Sequence, residues 1–251
     1  MDFALNEDQL ELKEAARAWL ADRFPLDRDW DSTDDRWAEL SELGWLDVAE
    51  AGLGFVEEAL LLEETGYALY PGPLLAHVTG QTDGFGAGGG IETVDPARPL
   101  HRLPAASDES PRTRAAMAAE ALGIAQRALD LGVEHAKTRV QFGKPIGTYQ
   151  AVSHPLAQTY TDVELSRSLV YWAAWCVTEE DGRAPLAAAA AKAFATEGAV
   201  AACERSIQVH GGIGFTWEHP LHRFYKRAIW LEGFGRRPAD LRLEVADALL
   251  S

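Results

Sequence analysis

Cysteine is almost absent from this 251-residue chain, which carries two, Cys176 and Cys203, and methionine is equally rare. Both cysteines stand in apolar, helix-like runs without metal-ligand spacing, so no metal site is expected. They read as buried thiols in a reducing compartment. Basic residues are scarce: 23 Lys and Arg stand against 39 Asp and Glu, a formal net charge of −16. That sign argues against nucleic acid and anionic membranes as partners, leaving room for a local basic pocket. No apolar run approaches the ~20 residues needed to cross a bilayer. The start, Met1-Asp2-Phe3-Ala4-Leu5, has neither a basic segment nor an apolar signal core. The expectation is a cytoplasmic protein that engages no membrane.

Strand patterning is also thin, and helical periodicity fills the chain instead. Phe3 to Phe24 places Leu10, Ala15, Trp19 and Leu20 roughly on one face, with Asn6 as N-cap and Gln9 as its capping-box partner. Trp37 to Leu43 makes a short helix stopped by Gly44. Gly54 to Tyr70 bears Val56, Leu60, Leu61 and Leu62 on one side. Its glutamates, Glu57, Glu58, Glu63 and Glu64, read as a solvated face, and Pro71 and Pro73 end it. Residues 77–110 break the pattern. Gly84, Gly86, Gly88, Gly89 and Gly90 crowd one span, and Ile91 to Val94, with Leu100 to Leu103, is the strand-like remainder. So few strands cannot bury a face, so the span reads as a linker.

Beyond it the helices are richer in alanine: Arg112 to Thr138, Tyr149 to Glu179 and Pro185 to Ser206. Leu221 to Trp230 and Asp240 to Leu250 follow. Short connections between antiparallel neighbours give a four-helix bundle. The fold class is therefore mostly α, with an N-terminal helical domain over 1–76, the linker over 77–110, and a C-terminal helical-bundle domain over 111–251.

The most pointed motif is Gln208-Val209-His210-Gly211-Gly212-Ile213-Gly214-Phe215. Glycines at a helix end admit the close approach of an anion to backbone amides, as phosphate and pyrophosphate require. They equally supply a helix C-cap and a turn without any ligand. The spacing matches neither a P-loop nor a dinucleotide fingerprint.

Several motifs together resemble the acyl-CoA dehydrogenase family. They are Arg139-Val-Gln-Phe-Gly143-Lys-Pro-Ile, Gln150-Ala-Val, the glycine motif above, Phe3-Ala-Leu-Asn-Glu-Asp-Gln9, Trp37-Ala-Glu-Leu-Ser-Glu-Leu-Gly-Trp45 and Glu63-Glu-Thr-Gly66. The resemblance implies an N-terminal helical domain, a middle β-barrel and a C-terminal four-helix bundle, with FAD between the last two. It also implies that the adenosine and pyrophosphate end of FAD reaches a neighbouring subunit. Carried over residue by residue, that end would be held by Arg139, Gln141, Phe142, Gln208, Gly211 and Gly212, with Gln150 beside them. A guanidinium that grips pyrophosphate and glycines that let amides approach it suit this role.

Three departures qualify the resemblance. The linker stands where the family has its barrel, so this chain lacks the wall that covers the flavin ring and part of the thioester pocket. Where relatives place an aromatic and an acid before the Coenzyme A arginine, Ser110 and Pro111 precede Arg114. Arg114 is then either a substrate contact or a solvated helix-start residue. The loop carrying the family's catalytic carboxylate is matched by Trp230-Leu-Glu232-Gly233, which makes Glu232 the candidate base, but Phe234 replaces a flavin-binding threonine. These features imply the short subunit of a heteromeric, α2β2, actinobacterial-type enzyme. Its partners would be a longer acyl-CoA dehydrogenase subunit, an acyl-CoA such as a steroid side-chain ester, and an electron-transfer flavoprotein. A non-catalytic scaffold and a free-standing homo-oligomeric dehydrogenase are the alternatives.

Overall fold

In the computed structural model, which describes residues 5–30, 32, 34–80, 95 and 110–251, nearly all regular structure is helical. Helix α1 (Glu7–Arg23) opens with the expected capping box. The Gln9 amide donates to Asn6 Oδ1 at 2.8 Å, and the Asn6 amide to Gln9 Oε1 at 3.1 Å. Helices α2 (Trp37–Glu42), α3 (Phe55–Ala68) and α4 (Leu74–Val78) follow. The long α5 (Pro111–Thr138) starts where Ser110 caps its first turn and Pro111 occupies a position whose amide needs no partner. After a two-stranded hairpin, β1 (Val140–Gln141) and β2 (Lys144–Pro145), come α6 (Gln150–Thr178) and α7 (Ala184–His210). Last are α8 (Leu221–Gly233) and α9 (Pro238–Leu250). The glycine cluster and the strand-like segments of the linker lie outside the described residues.

One continuous core joins α1–α4 to α5–α8, with Leu61, Leu62, Leu122, Val170, Ala195 and Phe224 among its members. Small residues set its geometry. Helix α7 buries Ala187, Ala188, Ala191, Ala195, Ala199 and Ala202, so its backbone can lie close to the neighbouring helices. Helix α3 crosses α5 at paired glycines: a Cβ on Gly66 would overlap the Glu120 carbonyl, and one on Gly123 the Glu63 carbonyl. Both cysteines are buried and free, as read from sequence.

Three expectations need correction. On α1 the buried positions are Ala16 and Leu20, with Ala15 exposed and Leu10 47% exposed, so the apolar face is turned from the expected one. Three glutamates of α3, Glu58, Glu63 and Glu64, are no solvated face, because α1, α5 and α6 cover them with basic partners. Glu63 accepts from Lys13 at 2.8 Å and from Tyr171 at 2.8 Å and pairs with Arg167, while Arg17 holds Glu64 and Arg112 holds Glu58. Buried carboxylates persist only when paired in this way. Within the linker, Asp95 is buried against Arg227 of α8, which also donates to Glu120 at 2.9 Å. Finally, Ala184–Phe215 is long and apolar enough to span a bilayer by length and composition. Alanine content rather than large side chains produces that property, and 61% of its most apolar window is buried inside the protein, as for a bundle's central helix.

Candidate functional site

Two residues separate β1 from β2, and both take the left-handed conformation, Phe142 at φ 52° and Gly143 at φ 79°. That is the backbone of the tight hairpin turn whose twist matches its strands. Glycine adopts it freely, whereas for phenylalanine it costs about 1–2 kcal/mol. The turn thrusts the Phe142 ring outward, 93% exposed. Tyr149 braces the hairpin from beneath, donating its hydroxyl to the Gln141 carbonyl at 3.3 Å and meeting the Phe142 ring edge-on. The Arg139 carbonyl accepts from the Ile146 amide at 2.8 Å, closing the base. Gln150 is the first residue of α6, adjacent to Tyr149 and exposed.

The glycine motif ends α7 at the same end of the bundle. Gly211 caps the helix at φ 65°, its amide donating to Gln208 and Ile207 carbonyls, so the cap reading holds in full. The two motifs are joined by histidines. His135, one turn before Arg139, stacks on His210 with ring centroids 4.3 Å apart, and His219 meets His210 at 4.4 Å. Burial lowers all three pKa values below the ordinary imidazole value; His219 falls to about 4, with His210 and His135 repelling its charged form. Neutral rings can stack where charged ones could not. Sequence reasoning missed His135, Tyr149 and His219, whose ring and hydroxyl contacts depend on how the chain folds back, His135 meeting His210 from a distant segment.

Arg139, Gln141, Gln150 and Gln208 are exposed, and their side chains make no hydrogen bond or ion pair among the described residues. Space above Gly211 and Gly212 is open: a Cβ on either would meet nothing within 4 Å. An unengaged guanidinium, free amides, an open glycine turn and an outward aromatic ring are the donor set for a pyrophosphate and an aromatic base. The residues present therefore fit the tail of FAD.

The other two candidates lie elsewhere. Arg114 sits in the first turn of α5, roughly 37 Å along the helix from Arg139. It is not a solvated residue: it is 7% exposed and donates to Glu244 of α9 at 2.7 Å. Glu232 is half-buried in the last turn of α8, facing Glu197 and Glu204 of α7. Burial raises its pKa above the usual carboxylate value, and those two like charges add to the shift. A carboxyl moved toward neutral pH is suited to accept a proton. Phe234, in place of the family's threonine, stacks on Trp230 with centroids 5.0 Å apart. The structure thus gathers the tail-binding candidates at one end and leaves Glu232 and Arg114 outside that group.

The sequence matches the acyl-CoA dehydrogenase C-terminal domain over residues 104–235. It is 42% identical over 146 residues to "Acyl-CoA dehydrogenase IpdE2" of Mycobacterium tuberculosis, covering 55% of this chain and 44% of that protein. The matched region is thus under half the length of this curated relative. Among solved structures, a variant of the Tcur3481-Tcur3483 steroid ACAD superposes with a TM-score of 0.78 at 25% identity, covering 97% of this chain and 98% of that one. A chain of the ChsE4-ChsE5 complex from Mycobacterium tuberculosis shares the fold, with a TM-score of 0.78 at 21% identity over 100% and 99% of the two chains.

Proposed function

Since this chain belongs to the acyl-CoA dehydrogenase family, we propose that it is the short subunit of a heteromeric, α2β2 dehydrogenase, lending the tail-binding end of its bundle to an FAD whose ring rests on a longer partner. The observation that carries this reading is the exposed Phe142 hairpin beside an open glycine turn, with Arg139, Gln141 and Gln208 unengaged. Such a surface is formed in advance for a ligand that another subunit presents. Similarity to a steroid ACAD favours a bulky, steroid side-chain acyl-CoA as substrate.

In the proposed reaction the thioester loses a proton from Cα and a hydride from Cβ, and a double bond forms between them. FAD, when bound, supplies the acceptor for the hydride, and the electrons pass on to an electron-transfer flavoprotein. The contribution of this chain is fourfold. Arg139 and the Gly211–Gly212 turn hold the cofactor's phosphates, with Gln141, Gln150 and Gln208 beside them. Phe142 covers its adenine. Glu232 takes the Cα proton. Arg114 orients Coenzyme A through its place at the start of α5. The reaction runs in the cytoplasm.

Removing a charge-assisted contact costs about 1.5–3 kcal/mol, roughly 10- to 150-fold in affinity. Arg139→Ala in the purified complex is expected to release flavin on that scale while the thermal midpoint of the flavin-free complex stays unchanged. Flavin content per complex, read from visible absorbance, checks it. Full retention of flavin in Arg139→Ala and in Phe142→Ala alike would leave the tail-binding role without support.

A further inference from the structure

We propose that His210 is a further residue of the cofactor-tail site, taking up a proton beside Gly211–Gly212 as the pyrophosphate binds, an inference that rests on the tail-binding reading above. His210 is the last residue of α7, directly before the open glycine turn. That turn folds back over it: a Cβ on Gly214 would come within 3.0 Å of the His210 Cβ and 2.7 Å of the Ile207 carbonyl. From α5, His135 stacks on the His210 ring with the two planes 28° apart. His210 thus joins the glycine turn to the helix that ends just before Arg139.

Backbone partners decide how each ring can take a proton. His210 Nδ1 lies 2.8 Å from the Ser206 carbonyl, which can only accept, so Nδ1 carries the hydrogen and Nε2 holds the lone pair. Protonation at Nε2 keeps that bond. His219 is set the opposite way: its Nδ1 accepts from the Leu221 amide at 3.3 Å, and an added proton there would break the bond. His210 is therefore the better proton acceptor of the two. Its surroundings keep it neutral until an anion arrives. The groups acting on the cluster are His135 and Arg139 of α5, His219, and His222, Arg223 and Lys226 of α8; among the described residues no carboxylate joins them, and α6 contributes none. Burial lowers the His210 pKa below the ordinary imidazole value, so the ring is neutral at pH 7. A pyrophosphate diester brings two negative charges, which favour the charged ring, and so does the dipole at the C-terminal end of α7. One proton leaves the solvent and one Nε2–H bond forms. The bound state then holds more protons than the free one, so affinity rises as pH falls.

The test titrates FAD into the flavin-free complex with its longer partner by calorimetry between pH 6 and pH 8. Buffers of different ionisation enthalpy count the protons taken up. Uptake of about 0.5–1 proton per flavin and roughly tenfold tighter binding at pH 6 than at pH 8 are expected. His210→Gln should abolish both the uptake and the pH dependence. Should that variant fail to assemble, His135→Gln and His219→Gln carry the test, because uptake must persist in each. Uptake that persists in His210→Gln, or that is lost in His135→Gln or His219→Gln, puts the proton elsewhere and overturns the proposal. If Arg139→Ala weakens flavin binding while the parent takes up no proton, the tail site stands and the role of His210 falls. If Arg139→Ala and Phe142→Ala both bind flavin as tightly as the parent, the tail-binding reading falls and the proposal falls with it.

Discussion

The His135, His210 and His219 rings show what single residues contribute at the proposed tail-binding end. Two of them stack at 4.3 Å and the third lies at 4.4 Å, so each proton added puts charge against a neighbouring ring. His222 also faces His219, and Arg139 faces His135, adding to the same repulsion. The sign follows directly. With folded pKa values below the ordinary 6.5, and His219 at about 4, the unfolded chain binds more protons across that interval. Stability is therefore full above pH 6.5 and declines as pH falls toward 4. The thermal midpoint should drop over this window, and His219→Gln should flatten the drop, as scanning calorimetry at a series of pH values can check. His210 was visible in its motif, whereas His135 and His219 were not, because nothing in a sequence says which rings from different segments will meet. Glu63 and Glu64 teach the same point. Periodicity puts them on one face, but only the packing of Lys13, Arg17 and Arg167 over that face makes it an interior one.

Helices were largely legible because their ends carry local chemistry. The Asn6–Gln9 capping box and the glycine after His210 each fix a boundary through groups within a few residues, while the Ser110 cap before Pro111 was passed over. Crossings between helices were not legible, since Gly66 and Gly123 look like ordinary interruptions of a helix until their partners are known. Two glycines make the contrast testable. Gly123→Ala must push α3 from α5, because its Cβ would overlap the Glu63 carbonyl. Overpacking of this kind costs about 1–3 kcal/mol. Gly212→Ala meets nothing within 4 Å and should leave the unfolding midpoint unmoved. Chemical denaturation of the two variants beside the parent distinguishes a glycine that serves packing from one that leaves room for a ligand.

Across the whole molecule, the central helices α5 and α7 keep the proposed sites apart. Their C-terminal ends present Arg139, Gln141, Phe142 and Gly211–Gly212 outward, while Glu232 lies beside the middle of α7 and Arg114 near the opposite end of α5. The ordered set of motifs brought the candidate tail-binding residues together on paper, because each motif is continuous in sequence. The pairing of Arg114 with Glu244 of α9 was unreadable, since 130 residues separate the partners. A surface prepared for a cofactor tail and presented to another subunit is the central claim. It is tested most directly by purifying this chain alone and together with a longer acyl-CoA dehydrogenase subunit, and reading the visible flavin absorbance of each. The account predicts a colourless single chain and a yellow complex. A single chain that is yellow and dehydrogenates an acyl-CoA by itself, or a complex that stays colourless, would contradict it.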